Sequence, residues 1–195
     1  MNDRGGGTSQ FDGFLFAERV LAGQTTNRLT AAEREAIESY ALNGYERIIS
    51  ALRGLTPMTA GLAHHIASIR SGLQRYPLPQ TVRVTREVDA SVLGIDTDDH
   101  ASLAAVIGDY FTELGFLSTS GSEFPPKSRR HVQPVILELL VPEGTPALRL
   151  AELAEVQDEK EVLVIDMRMF LVVNTAIDDR RSMWRIEAIV VQEEQ

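Results

Sequence analysis

The order of local patterns in this sequence predicts an α+β fold. Residues 11–76 carry mainly helical periodicity and residues 80–192 mainly strand periodicity, without the alternation of a βαβ chain. No G-x-G-x-x-G follows an expected strand and no Walker sequence occurs, which argues against a dinucleotide-binding parallel sheet and a P-loop NTPase. The 195 residues, 44% hydrophobic and 24% charged, have the composition of a folded chain. They suit one domain over residues 11–195, behind a flexible glycine-rich N-terminus over residues 1–10.

Taken in order, Phe11 to Leu21 predicts a helix ending before the polar run Gln24 to Asn27. Thr30-Ala31-Ala32-Glu33 is a capping box. After it, Ala36, Ile37, Tyr40, Ala41 and Tyr45 recur at helical spacing, with a break expected at Gly44 and a second helix over Tyr45 to Arg53. A further helix is expected from Thr59 to Leu73. Beyond Pro77-Leu78-Pro79 the period becomes two. Thr81 to Val88 reads as a strand, as do Phe116 to Ser120, Val135 to Val141, Glu161 to Ile165, Met169 to Asn174 and Trp184 to Val191. Ala101 to Leu114 reads as a helix stopped by Gly115, and Gly121 to Arg130 as a loop. Leu148 to Asp158 fits neither period.

Composition narrows the function. The absence of cysteine excludes a disulfide scaffold, a thiolate zinc site and a cysteine nucleophile. A net charge of 19 − 28 = −9 disfavours nucleic acid and anionic membranes as main partners. No apolar run approaches the ~18 residues of a membrane helix. The N-terminus lacks a basic start and apolar core, so no cleaved signal peptide is expected. Adjacent His64 and His65, isolated His100 and His131, and the Asp96-Thr97-Asp98-Asp99 turn lack metal-ligand spacing, so no metal site is expected.

Three segments carry polar residues that packing does not require. Arg86 shares its strand face with Val82, Val84 and Val88. A guanidinium there needs an anionic partner, although a snorkelling or structurally paired arginine satisfies the same pattern. Ser118-Thr119-Ser120 follows Phe116-Leu117, with Ser118 and Ser120 on one face; hydroxyls at a strand end also need no function. Glu159-Lys160-Glu161 opens a strand, and period two puts both carboxylates on one face, where a solvated acidic start is the simpler reading.

Together and in this order, these segments resemble the mono-ADP-ribosyltransferase superfamily with the Arg / Ser-Thr-Ser / Glu-x-Glu signature. The likeness is to its bacterial exoenzymes and toxins, such as the actin-modifying binary toxins and the Rho-modifying exoenzymes. It covers about residues 40–191 and includes Leu52-Arg53-Gly54 and Pro142-Glu143-Gly144-Thr145. The departures are Ile49 where relatives often have Asn, Glu87 where Gly or Arg usually follows the arginine, and no aromatic before the third motif, where Leu150 and Leu153 stand.

The resemblance implies N-terminal helices packed on two facing, mostly antiparallel β-sheets with NAD in the cleft between them. It implies transfer of ADP-ribose from NAD to an arginine of a target protein, with release of nicotinamide. Glu161 would be the catalytic carboxylate, Ser118 its positioning partner and Glu159 the residue acting on the acceptor. Arg86, Ser118, Thr119, Ser120, Phe124 and Arg53 would bind the dinucleotide, with Arg129 or Arg130 reaching a phosphate. A rival register, Gln157-Asp158-Glu159, fails because the family's catalytic glutamate sits directly before an apolar strand, as Glu161 does. Implied too are a secreted or injected toxin acting in a target-cell cytoplasm, and an immunity protein or host activator as partner. An RNA or other non-protein acceptor, an NAD glycohydrolase and a non-catalytic binding module stay open beside this reading.

Overall fold

The computed structural model describes residues 9–153 and 160–192. Its helices come first. α1 (Ala17–Val20) is one turn, much shorter than the helix expected over residues 11–21. The chain before it is held to the sheet instead, with Phe16 bridging to Arg83. α2 (Ala31–Ser39) starts at the expected capping box. Thr30 Oγ1 accepts from the Glu33 N–H at 3.3 Å, and Glu33 Oε2 accepts from the Thr30 N–H at 2.8 Å. The same carboxylate takes the Ser71 hydroxyl at 2.7 Å and Arg75 Nε at 3.0 Å. Both donors sit in or at the end of α4 (Ala60–Gln74), so the cap also ties two helices together.

Gly44 does not break the helix. The chain passes from α2 into α3 (Tyr45–Leu52) through a π-helical turn, Tyr40–Gly44. A Cβ on Gly44 would lie 2.8 Å from the Ser39 carbonyl oxygen, so glycine lets this wide turn close. The turn leaves Tyr40 buried, edge-on to Phe116 at 5.5 Å.

The strands are β1 (Val82–Asp89), β2 (Tyr110–Glu113), β3 (Leu117–Ser120), β4 (Pro134–Val141), β5 (Ala147–Arg149), β6 (Glu161–Val164), β7 (Arg168–Asp178) and β8 (Met183–Val190). They form one hydrogen-bonded sheet in the order β2-β7-β8-β4-β1-β3-β6-β5. Every neighbouring pair is antiparallel except β4 with β8. The stretch read as one helix over residues 101–114 divides into α5 (His100–Ala105) and β2. Gly108, at φ 95°, turns the chain and donates to the Val172 carbonyl, and Tyr110-Phe111-Thr112 then pairs with β7. Aromatic and β-branched residues suit that edge.

The sheet folds on itself. β1 pairs with β4 at eight positions but with β3 at one, Thr85 opposite Ser120. Val82, Val84, Leu137, Leu139, Ile186 and Val190 from one lobe share a core with Leu117, Ala147, Val162 and Val164 from the other. The lobes therefore face each other as two layers of a continuous sheet. A second core lies on the far side of β3-β6-β5, where Leu148, Leu163 and Phe116 meet Ile37, Tyr40, Ile48, Ile66, Ile69 and Leu73 of the helical part. The α+β class holds, with helices covering one face of the smaller lobe.

The Glu33 cluster carries a pH signature. Although burial opposes it, hydrogen bonds from Thr30, Ser71 and Arg75 lower the Glu33 carboxyl to about 2. A depressed carboxyl stabilises the fold above its unfolded value, and that contribution fades as pH falls from about 4.5 towards 2. Glu33→Gln should cost about 1–2 kcal/mol at pH 7 by chemical denaturation, and the cost should shrink across that acid window.

Candidate active site

The geometry of the site follows from the point where β1 and β3 part. Continuing the pairing beyond Thr85–Ser120 would set Arg86 opposite Thr119 and Glu87 opposite Ser118. The strands splay instead and leave a cavity. Thr85, Arg86 and Glu87 line one side, with Ser118, Thr119, Ser120 and Glu161 on the other and Pro125 and Pro126 at its rim. A second cavity of about 230 Å³ shares Arg86 and Glu87 and extends past Arg53, Phe111, Glu113 and His131.

Glu161 opens β6 opposite Ser120, with Ser118 diagonally across on the same face. The Ser118 hydroxyl donates to Glu161 Oε1 at 2.5 Å. That bond fixes the orientation of a half-buried carboxylate. Thr119 is buried on the opposite face and donates to the Val162 carbonyl at 2.7 Å, which keeps β3 and β6 in register. The Ser120 hydroxyl lies 2.8 Å from Ser122 Oγ, and Thr85 Oγ1 donates to the Ser122 carbonyl at 2.8 Å. Those contacts shape the loop that roofs the cavity.

Arg86 shares its face with Val82, Val84 and Val88, as alternation implies. Among the described residues it enters no hydrogen bond or ion pair. It lines both cavities, which makes it a fixed positive charge facing the cleft. Its neighbour Glu87 points to the other face and is engaged by the loop. Glu87 Oε1 accepts the Ser128 N–H at 2.7 Å and lies 3.4 Å from His131 Nδ1. The unusual acid beside Arg86 is thus a loop anchor.

Arg53 also reaches the larger cavity, but Glu113 holds its guanidinium through Nε at 3.2 Å and Nη2 at 2.6 Å. Burial would raise the Glu113 carboxyl; the bonds from Arg53 and the Gly115 N–H outweigh it and hold the group below its ordinary value. Phe124 does not line either cavity. Its ring lies under the guanidinium groups of Arg180, Arg181 and Arg185, at 5.5, 5.0 and 5.7 Å. Arg130 reaches Glu46 at 3.4 Å on the exposed rim, and Arg129 is exposed.

Glu159 lies outside the described residues. β6 begins at Glu161, and Lys160 before it has φ 52°. The sequence reading also missed Tyr40. Burial pushes its phenol above the ordinary range, and Arg86, Glu161, Glu113 and Arg53 all act on it electrostatically. Its buried hydroxyl has no hydrogen-bond partner among the described residues. The available signal was chemical: a tyrosine in an apolar helical register brings a hydroxyl that needs a partner. No group of three or more His, Asp or Glu suited to a metal occurs among the described residues.

The model of the ADP-ribosyltransferase exoenzyme family matches residues 19–193. The chain belongs to that family. It is an NAD-dependent ADP-ribosyltransferase of the bacterial toxin class. Its fold is similar to the C3 exoenzyme of Clostridium limosum, at TM-score 0.72 and 18% identity over 90% of this chain and 91% of that one. It is similar to C3stau2 from S. aureus, solved with NAD, at TM-score 0.74 and 18% identity over 91% and 93%. It is also similar to the enzymatic component C2-I of the C2 toxin from Clostridium botulinum, at TM-score 0.74 and 24% identity over 95% of this chain and 49% of that one. No curated protein matches the sequence.

The residues of this ADP-ribosyltransferase fit NAD as co-substrate. The cleft offers an arginine that enters no hydrogen bond or ion pair among the described residues and a carboxylate held by a serine. Two substitutions should separate binding from chemistry in steady-state nicotinamide release. Ser118→Ala should lower kcat about 10- to 100-fold with little change in KM for NAD, because it frees the carboxylate to turn. Arg86→Lys should mainly raise KM, by about tenfold, because an ammonium cannot present a planar fork to phosphates.

Proposed function

We propose that this ADP-ribosyltransferase modifies an arginine of a target protein, using residues 11–195 as one catalytic unit. The observation that carries the site is the Glu161 carboxylate, held by Ser118 across the cleft from Arg86. When bound, NAD supplies the ADP-ribosyl group, and nicotinamide is the leaving group. Arg86 binds the phosphates through its fixed charge. Glu161 places negative charge where positive charge develops on the sugar, the physics that glycosidases use. Ser118 keeps that carboxylate aimed, and Ser120 with Thr85 holds the loop above it.

The arginine acceptor rests on Glu159 in the Glu159-Lys160-Glu161 motif. A guanidinium is a poor nucleophile while protonated. A carboxylate beside it orients it and takes the proton that its nitrogen loses on bonding to the sugar carbon. Thr119 supports the pocket from behind, Arg53 borders the dinucleotide from the larger cavity, and the segment before Glu161 meets the target. As a toxin or injected effector, the chain acts in a target-cell cytoplasm and is controlled by an immunity protein or needs a host activator. No helix among the described residues is long and apolar enough to cross a membrane.

Labelled NAD with bacterial and eukaryotic lysates tests this reading. The wild type should label a protein band, and fragmentation mass spectrometry of that band should place the ADP-ribosyl group on an arginine. Glu161→Gln should abolish nicotinamide release, by about 10³-fold or more, whereas Glu159→Gln should abolish protein labelling and retain NAD cleavage. Nicotinamide release without a labelled protein, or with labelled RNA, would contradict the arginine acceptor. Unchanged transfer in Glu161→Gln would remove the site assignment.

A further inference from the structure

The loop after β3 carries two consecutive prolines, Pro125 and Pro126, which line the cavity that holds Arg86 and Glu161. A proline fixes its own φ and confines the residue before it to extended backbone. The chain from Phe124 to Pro126 therefore has little freedom, and whatever holds Phe124 also places this wall of the cleft.

Three arginines of the β7–β8 hairpin hold it. Arg180 and Arg181 stand in the connection that the Asp178–Met183 pair closes, and Arg185 follows in β8. All three guanidinium groups lie against the Phe124 ring, Arg181 nearest at 5.0 Å. The backbone on either side of the ring is fastened to the same groups. The Glu123 carbonyl accepts Arg185 Nη2 at 3.3 Å, and the Pro125 carbonyl accepts Arg181 Nη2 at 3.2 Å. The Glu123 carboxylate pairs with Arg180 at 2.9 Å. Arg185 is itself held by the buried Glu138 carboxylate and by Asp178, which also accepts the Arg181 N–H at 3.0 Å. The clamp is thus rooted in the sheet. Neither the ring nor the three arginines line either cavity of the cleft.

We propose that Arg181 and Phe124 are positioning residues for NAD binding. Together they hold Pro125 and Pro126 as a preformed apolar wall, so the roof of the cleft is in place before the dinucleotide arrives. A wall ordered beforehand removes an ordering cost from binding. The contact with the dinucleotide that the resemblance implies for Phe124 passes to the two prolines. The role rests on reading this cleft as the NAD site.

The test compares Phe124→Ala, Arg181→Ala, the double variant and Phe124→Tyr with the wild type. Each single alanine variant should raise KM for NAD about three- to tenfold, the scale of one cation–π contact and one hydrogen bond. The kcat for nicotinamide release should stay within about twofold, and the melting temperature should not move. The double variant should be no worse than either single one, because both break the same clamp. In the free protein, the amides of Glu123, Phe124 and Lys127 should exchange faster in both. Phe124→Tyr keeps the ring and should match the wild type in KM and exchange. A wild-type KM in Arg181→Ala beside a raised one in Phe124→Ala would overturn the proposal, because a ring that touches the dinucleotide directly behaves that way. So would additive losses in the double variant, or a fall in kcat and melting temperature that a merely structural role produces. A wild type that turns over no NAD would sink the reading of the cleft and this role with it. Exchange in the free protein needs no turnover, and its response to Arg181→Ala separates that failure from a clamp that does not exist.

Discussion

The single residue pair joining β1 to β3, Thr85 opposite Ser120, is the constraint on which the rest of the site depends. Full pairing would close the sheet and bury the polar backbone that a ligand could use. No pairing would let the lobes separate and lose their shared core. One pair keeps the sheet continuous and lets the strands diverge immediately beyond it. The divergence puts Arg86 on one wall and the Ser118–Glu161 bond on the other. The motifs, far apart in sequence, become the two sides of one opening.

Charge placement supports that geometry from behind. Glu138 of β4 is fully buried and accepts Arg83 Nε from β1 at 2.6 Å, while Arg185 of β8 pairs with the same carboxylate. Arg185 also holds Asp178 at 2.5 Å. Such a chain of buried ions is costly to assemble and costly to break, so it specifies register more than it adds net stability. Its consequence reaches the cleft: with β1 locked from its charged face, Arg86 is presented from the other. The Arg185 guanidinium also lies beside Phe124, which couples the network to the loop that roofs the cavity.

Local chemistry was legible in the sequence and long-range geometry was not. The Thr30–Glu33 box announced a helix start, because a cap is satisfied within one turn, and the helix expected from Thr59 begins just after it. Alternation placed Arg86 on the Val84 face and paired Ser118 with Ser120, because the strand period is local as well. The helix expected over residues 101–114 failed at Gly108, where a tertiary bond to Val172 and pairing with β7 overrode helical spacing. The Arg53–Glu113 bond joins residues 60 apart and could not be read from either segment. The ion pair of Lys160 with Glu18 likewise follows only from the docking of α1. The family motifs bridged part of this gap by marking which polar residues converge, without indicating what holds them.

The most direct test of the account is a structure of the chain with NAD bound. The account predicts the phosphates on the Arg86 guanidinium and the 2′-hydroxyl of the nicotinamide ribose within hydrogen-bond reach of Glu161, with the Ser118 bond intact. A dinucleotide bound outside the opening between β1 and β3, or one that leaves Arg86 and Glu161 untouched, would contradict it.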